Sequence, residues 1–223
     1  MNIALKGLMG SGKTTASDIL VKERSLIKCS FGTEVKYIAS LILGREINKS
    51  MDGDRELLQD IGEVFKGEKS YQPFLDKWMA SKDFTSYYLA NVDDFGEPYY
   101  FAKKLCEQCD FLKDFEENKV VIDDIRYAIE YAYLITKSVE IFGNSNNILS
   151  VEVVLPKSLC IKRLKERDNL FKESYFDRES EKQFNTIFTD GYFVNYDFEC
   201  QKEFNYDEFK QEVLETYDFL CKR

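Results

Sequence analysis

Histidine is absent from this chain of 223 residues, and proline occurs only three times. Without histidine, the chain cannot form a Ser-His-Asp or Cys-His hydrolase site, or a metal site built on imidazole ligands. Any catalysis must therefore use carboxylates, lysine, arginine, hydroxyls or a hard metal ion. The scarcity of proline gives no sign of a linker, so one domain with insertions is the simplest organisation.

Positive charge is in deficit, since 31 Lys and Arg residues face 40 Asp and Glu residues, for a net charge of −9. This balance argues against non-specific binding to nucleic acid or to anionic membranes, and we expect neither as a partner. The chain also lacks any apolar run near the ~20 residues that span a bilayer. Its short apolar start does not resemble a signal peptide. We expect a cytoplasmic location, which would be the host cytoplasm if the chain is viral.

Cysteine is present but scattered, with six residues and no arrangement that indicates a disulfide framework. Without a secretion signal, reduced thiols are the natural expectation. Cys106 and Cys109 form a CxxC pair inside a segment with helical periodicity. Because no second CxxC accompanies it, we interpret the pair as helix packing rather than as a zinc or redox site.

Short apolar runs alternate with amphipathic segments along the whole chain, which is typical of an α/β protein. The pattern predicts a mostly parallel sheet with helices on both faces in a single domain, 1–223. Predicted strands cover 3–5, 26–29, 119–123, 148–155 and 192–195. Predicted helices cover 14–23, 34–43, 54–65 (with Asp54 as cap), 97–115, 128–142, 157–167 and 206–220. Residues 66–96 give no clear order.

The segment GLMGSGKT, which follows the first predicted strand, fits the phosphate-binding pattern G-x-x-x-x-G-K-[ST] in full. In this pattern the glycines allow backbone N–H groups to converge on phosphate oxygens, and the following helix adds its positive end. The lysine bridges the outer phosphates, and the hydroxyl after it binds Mg²⁺. We therefore expect ATP to be bound by Gly7, Gly10, Ser11, Gly12, Lys13, Thr14 and Thr15, with Mg²⁺ on Thr14.

Other features distinguish among the classes of nucleotide-binding protein. The Asn-Lys-x-Asp pattern with which a GTPase reads its base is not found, since neither Asn-Lys pair in the chain is followed by the aspartate. A small kinase needs a phosphate cradle, an acceptor pocket that holds a second anion, and a mobile lid bearing arginines. Candidates for all three are present.

Asp124 and Arg126 follow the predicted strand 119–123, at the edge of the sheet where ligands bind in such folds. We predict that Asp124 orients Mg²⁺-bound water or accepts a proton, and that Arg126 grips a phosphate. The alternative is that Asp123 or Asp124 only caps the next helix.

Three further arginines belong to the predicted lid, 163–185. Arg163 and Arg167 are spaced i, i+4 and share one helix face, while Arg178 lies in the charged segment that follows. We predict that Arg163 and Arg167 neutralise charge on the transferring phosphoryl group, and that Arg178 contacts the substrate. The alternative is a solvated charged helix.

Together these residues resemble the bacteriophage deoxynucleoside monophosphate kinases, which are related to dephospho-coenzyme A kinase and adenylate kinase. Besides the cradle, the resemblance rests on SFGTEVK (30–36), RELLQDIG (55–62), Asp124-x-Arg126 followed by Glu130, Ser180-Glu181, and DGYFVN (190–195). The resemblance implies a doubly wound P-loop kinase fold, with Mg-ATP as donor and a nucleoside monophosphate as acceptor. It also implies a homodimer in many members.

The same resemblance places an acceptor side on the helical insertion 45–118 and on the helix before it. Candidate substrate contacts are Phe31, Lys36, Arg55, Gln59, Arg126 and Arg178. We thus predict phosphorylation of a deoxynucleoside monophosphate. The alternatives are a dephospho-coenzyme A kinase-like or other small-molecule kinase, whose hydroxyl acceptor would need Asp124 as general base, and a nucleotide-binding switch module without kinase activity.

Overall fold

A computed structural model describes residues 1–48, 51, 53–67, 70–108, 114, 116–117, 119–143, 148–168, 170–178, 181, 192–195 and 205–222. The strands are β1 (Asn2–Lys6), β2 (Ile27–Ser30), β3 (Val120–Asp123), β4 (Ile148–Val154) and β5 (Tyr192–Asn195). The helices are α1 (Lys13–Arg24), α2 (Phe31–Leu43), α3 (Asp54–Phe65), α4 (Gln72–Trp78), α5 (Lys82–Ala90), α6 (Tyr100–Gln108), α7 (Ala128–Phe142), α8 (Lys157–Arg167) and α9 (Tyr206–Leu220). Short 3-10 turns occupy Val92–Asp94 and Glu173–Asp177.

The five strands form one sheet in the order β2-β3-β1-β4-β5, and every described pairing is parallel. In the middle of the sheet, Ala4 lies opposite Ile122 of β3 and Ser150 of β4. All residues of β1 and β3 are buried, which agrees with their nearly continuous apolar sequences. The predicted α/β fold with a parallel sheet and helices on both faces is confirmed.

Side chains that alternate along the strands supply the two apolar layers. Ile3, Leu5 and Val121 face the layer that contains α1 and α9. Ala4 and Ile122 face the opposite layer, which packs against α2, α3, α6 and α7. Because parallel strands are covered on both faces, their carboxyl ends are left as the open edge of the sheet.

The insertion between α2 and β3 is helical and aromatic. The region that the sequence leaves without clear order, 66–96, contains α4 and α5. In the insertion as a whole, Phe65, Phe84 and Tyr100 are fully buried. Phe65 lies at the centre of this cluster, with ring contacts to Phe74, Phe95, Tyr100 and Phe101. Aromatic pairs of this kind stabilise the insertion by packing, without a regular hydrophobic period in the sequence.

Some predicted helix starts differ from the structure, and α2 begins at Phe31 rather than at the predicted residue 34. The helix predicted at 97 begins at Tyr100, since the backbone before it forms a turn in which the Tyr100 N–H donates to the Glu97 carbonyl. Asp54 was expected to cap α3, but Gly53 holds the cap position with a φ of 79°, and Asp54 belongs to the first helical turn. Cys109 and the predicted end of α6 at residue 115 lie outside the described residues.

In the part of the chain that the structure covers, no helix combines the length and the apolar character needed to cross a bilayer.

Candidate active site

The loop between β1 and α1 depends on glycines with a left-handed backbone. Gly7, Gly10 and Gly12 have φ values of 140°, 83° and 109°. A Cβ atom on Gly7 would lie 2.5 Å from the carbonyl oxygen of Val153, so a side chain is excluded there by space as well as by conformation. The loop thus passes close to β4 and turns directly into α1.

The amino end of α1 opens into a cavity of about 190 Å³, which we call the phosphate cavity. Gly12 occupies the cap position and provides no side-chain acceptor, so the first N–H groups of α1 face the cavity. Its lining residues are Met9, Gly10, Gly12, Lys13, Thr14, Thr15, Asp124, Arg126, Arg163, Leu164 and Arg167. Gly7 and Ser11, which were also predicted to bind ATP, shape the loop but do not line this cavity.

Lys13 is buried, and its ammonium group is held by its own loop. Nζ donates to the carbonyl oxygens of Gly7, at 2.7 Å, and Leu8, at 2.8 Å. It also lies 3.3 Å from Oδ1 of Asp124. Burial, together with the nearby positive charge of Arg126, lowers the pKa of Lys13 to about 8. A polyanion in the cavity would favour the charged form of this lysine.

Asp124 and Arg126 lie just past the carboxyl end of β3, as the sequence predicts. Asp124 has a φ of 68°, and its Oδ1 is 2.5 Å from Nε of Arg126. Burial opposes the negative charge of Asp124, but Arg126 and Lys13 outweigh it and hold the pKa of this carboxyl well below its usual range. The helix-cap alternative for Asp124 is not observed: Glu130 instead accepts hydrogen bonds from the backbone N–H groups of Arg126 and Tyr127.

Glu181 places a carboxylate against both the loop and Arg126. Its Oε2 accepts a hydrogen bond of 2.7 Å from the backbone N–H of Met9, and Oε1 forms an ion pair with the guanidinium of Arg126. Glu181 is 4% exposed. The loop N–H and the arginine therefore already form a binding site for an oxyanion.

Arg163 and Arg167 extend from the last turns of α8 into the phosphate cavity. Burial lowers the pKa of both guanidinium groups, but arginine keeps its charge in proteins. A cavity within an acidic protein thus receives fixed positive charge from one helix. Arg163 is half-buried, so the alternative of a fully solvated charged helix does not apply to it, whereas Arg167 lines the cavity from an exposed position.

A second cavity of about 200 Å³ adjoins the first, and we call it the acceptor pocket. It lies between α2 and α3, beside the carboxyl end of β3. Among the predicted substrate contacts, its lining includes Phe31, Lys36, Arg55, Gln59 and Arg126. Other lining residues are not predicted substrate contacts, among them Met9, Glu63, Lys66 and Glu130.

The sequence could have indicated a role for Glu130 in this site, because Glu130 follows Asp124-x-Arg126 in the motif of the family resemblance. No such indication exists for Lys66: its Nζ lies 2.7 Å from Oε1 of Glu130 and over the ring of Tyr127, in a contact made only by the fold.

Arg55 is anchored rather than free to follow a ligand. It forms an ion pair with Asp168, the residue that ends α8, and its guanidinium lies 5.6 Å from the ring centre of Tyr175. Arg55 and Asp168 are 8% and 4% exposed. The carboxylates next to Arg55 in the sequence, Asp54 and Glu56, do not pair with it. Instead, Asp54 pairs with Arg45, and Lys172 donates to Glu56.

Arg178 is separate from the other predicted arginines. Its Nη1 lies 3.2 Å from Oε2 of Glu63 and 3.8 Å from Oδ1 of Asp60, and it lines neither of the two cavities. In this structure Arg178 connects the 3-10 turn at Glu173–Asp177 to α3. Ser180, Asp190 and Gly191, which contribute to the family resemblance, lie outside the described residues.

Comparison with known proteins gives likenesses in three dimensions only. One is the shikimate kinase of Aquifex aeolicus, with a TM-score of 0.45 and 17% identity over 99% of this chain and 98% of that one. Another is a gluconokinase of Sinorhizobium meliloti, with a TM-score of 0.43 and 14% identity over 99% of this chain and 93% of that one. No protein-family model and no curated protein sequence matches the chain.

The donor set of the phosphate cavity fits a nucleotide with its magnesium ion. The Thr14 hydroxyl and the Asp124 carboxylate line the same cavity, and Mg²⁺ is commonly held by such oxygens together with substrate phosphates and water. Across the described ranges, no cluster of three or more acidic or cysteine side chains could hold a metal by itself. A metal ion at this site would thus be held jointly with the phosphates.

Proposed function

We propose that this protein is an ATP-dependent kinase that transfers a phosphoryl group to a nucleoside monophosphate, preferentially a deoxynucleoside monophosphate. The observation that carries the proposal is the wall shared by the two cavities. Met9, Asp124, Arg126 and Arg167 line both of them. A donor phosphate in one cavity and an acceptor phosphate in the other would meet at two arginines, which is the arrangement that phosphoryl transfer between anions requires.

The carboxylate of Glu181 supports this proposal, because it lies where an acceptor or donor oxyanion would be recognised. It is held by the Met9 N–H and by Arg126, both of which belong to the shared wall. Donors that hold one carboxylate have the geometry and charge to hold a phosphate oxygen.

The residues have distinct proposed roles in the transfer. The loop and Lys13 would hold the donor phosphates. Thr14 would hold Mg²⁺, which would offset part of the negative charge of these phosphates. Arg126 and Arg55 would hold the acceptor phosphate. Arg163 and Arg167 would neutralise charge as an acceptor oxygen bonds to the γ-phosphorus and the bond to the β-phosphate oxygen breaks, which releases ADP. We propose that residues 163–185 form the lid over this reaction.

The ionisation of Asp124 favours a phosphate acceptor over a hydroxyl acceptor. A hydroxyl must lose a proton to a general base, and a carboxyl whose pKa is held well below its usual range by Arg126 and Lys13 is a weak base. A monophosphate is already ionised near neutral pH and requires no such base. Asp124 would then orient Mg²⁺-bound water and position Arg126.

The proposal is tested by measuring ADP release with ATP, Mg²⁺ and each deoxynucleoside monophosphate, ribonucleoside monophosphate and dephospho-coenzyme A in turn. We expect acceleration by at least one deoxynucleoside monophosphate and none by dephospho-coenzyme A. Lys13→Ala should abolish turnover. Arg126→Ala should raise the acceptor KM by about tenfold or more, and change the KM for ATP by less than about twofold.

The matched control is Arg24→Ala, since Arg24 pairs with Asp218 and lines neither cavity. Its kinetic constants should equal those of the wild type. Acceleration by no monophosphate would overturn the proposal. Nucleotide-dependent binding of a protein partner without phosphoryl transfer would favour a switch module instead.

A further inference from the structure

Glycine is used in two different ways in this chain. Of the ten glycines in the described residues, eight have a positive φ, a backbone conformation that other residues rarely adopt. The two others are Gly32, in the first turn of α2, and Gly62, in the interior of α3. Their backbone does not require glycine, and glycine weakens a helix relative to alanine. Another reason must account for the missing side chains.

The surroundings of these two positions supply that reason. A Cβ atom on Gly62 would meet no other atom within 4 Å, so it would project into open space. A Cβ atom on Gly32 would meet only Oγ of Ser30, at 3.4 Å, which is an ordinary contact. Close helix packing therefore does not exclude a side chain at either position.

Both glycines line the acceptor pocket, from different helices, so we infer that the open space at these positions belongs to this pocket. Phe31, Phe101 and Tyr127 also line it, so part of its wall is aromatic, as suits a planar ligand. Gln59 lies three residues before Gly62, on the same helix and in the same lining. Its Oε1 is buried and has no hydrogen-bond partner in the described part of the chain. An acceptor oxygen beside a space kept free of side chains is suited to the polar edge of a ring.

We propose that Gly62, with Gly32 opposite, is the size-determining residue of the acceptor pocket and makes room for the ring of the acceptor's base. This inference depends on the proposed function, since it assigns the pocket to a nucleoside monophosphate. Side chains added at Gly62 exclude larger rings before smaller ones. The missing side chains cost helix stability and provide volume for the substrate.

The test compares Gly62→Ala, Gly62→Leu and Gly32→Ala with the wild type. Binding of ribose 5-phosphate, a pyrimidine and a purine deoxynucleoside monophosphate is measured by calorimetry, and phosphoryl transfer by ADP release. The thermal unfolding midpoint of Gly62→Ala should not fall below that of the wild type. Gly62→Leu should weaken purine binding by about tenfold or more, pyrimidine binding less, and ribose 5-phosphate binding least. The KM for ATP should be unchanged.

The control is Thr33→Leu, which places the same leucine side chain at an exposed position beside Gly32 that is outside the pocket lining. It should bind all three ligands as the wild type does. If the wild type transfers phosphate but Gly62→Leu affects all ring sizes equally, or none, the inference about glycine fails and the proposed function stands. If binding is lost in the order of ring size but no phosphoryl transfer is found, the inference about glycine stands and the proposed function fails. If the wild type binds no monophosphate, both fail.

Discussion

At the scale of single residues, the ammonium group of Lys13 lies in an unusual environment. It is buried, it donates to two carbonyl oxygens of its own loop, and its pKa is lowered to about 8 by burial and by Arg126. A lysine in this state is partly neutral in the empty protein at mildly alkaline pH. Phosphate oxygens placed beside it would restore its charge.

We therefore predict that nucleotide binding takes up protons at pH 8. The phosphates are fully ionised there, so uptake reflects the rise in the pKa of Lys13. Calorimetry with a non-hydrolysable ATP analogue, in buffers of different ionisation enthalpy, should give an uptake of up to about half a proton at pH 8 and much less at about pH 6.5. Lys13→Arg is the control, because arginine stays charged. Equal uptake by this variant would assign the proton to another group.

At the scale of secondary-structure elements, the start of α3 is fixed by Asp54, which positions Arg55, Gln59 and Gly62 along the pocket. Asp54 is 2% exposed. It accepts two hydrogen bonds from Arg45 and one from the backbone N–H of Asn48. The bonds from Arg45, and then the one from Asn48, hold the pKa of this carboxyl below its usual value despite burial.

This arrangement predicts a stability difference that depends on pH. The pKa of Asp54 is lower in the folded state than in the unfolded chain. Its contribution to folding stability is therefore fully present above the ordinary carboxyl pKa near 3.9, and is lost as the pH falls through the pKa of the folded state. Asp54→Asn should lower the urea midpoint of unfolding at pH 7. The difference in urea midpoint between this variant and the wild type should become smaller below about pH 4. The exposed Asp76→Asn should show no such trend. A gap that is constant with pH would contradict this explanation.

A second link between elements joins α3 to the end of α8 through the buried pair of Arg55 and Asp168. Loss of one partner leaves a buried charge without compensation, so Arg55→Met should cost about 3–5 kcal/mol of unfolding free energy. The double variant Arg55→Met/Asp168→Leu should recover most of this stability, because no charge remains buried. Urea unfolding measures both changes. Stability of Arg55→Met equal to that of the wild type would show that the pair is unimportant.

The two stability variants also separate the two roles proposed for Arg55. If Arg55 contacts the acceptor phosphate, the double variant should keep a raised acceptor KM although its stability has returned. A normal acceptor KM in the double variant would restrict Arg55 to a structural role.

At the scale of the whole molecule, the two cavities meet at one wall, and their positive charge is local to an acidic chain. A single ligand that joins adenosine to a deoxynucleoside through a polyphosphate chain should therefore occupy both. It should raise the thermal midpoint more than ATP and the monophosphate added together, since only one association is required. The gain should be lost in Arg126→Ala and kept in Arg24→Ala. A midpoint equal to that with ATP alone would show that the cavities are not filled together.

The sequence by itself determined the features that rest on local geometry. Residues Gly7 to Thr14 specify a turn and the start of a helix within eight residues. The β-branched run before Asp124 specifies a buried strand, and its carboxyl end lies at the edge of the sheet where ligands bind. The alternation of strands and helices was sufficient to predict the parallel sheet. Such signals are readable because conformation, spacing and burial are encoded by neighbouring residues.

The tertiary structure decided which side chains meet across the pocket. Arg55 and Asp168 are separated by 113 residues, and Arg178 and Glu63 by 115. No local pattern selects these partners from the 71 charged residues, 31 basic and 40 acidic, in the chain. Gly32 and Gly62 lie in different helices, and only the fold places both against one cavity. Ion pairs and empty space depend on the packing of distant elements, so they follow from the fold rather than from sequence spacing.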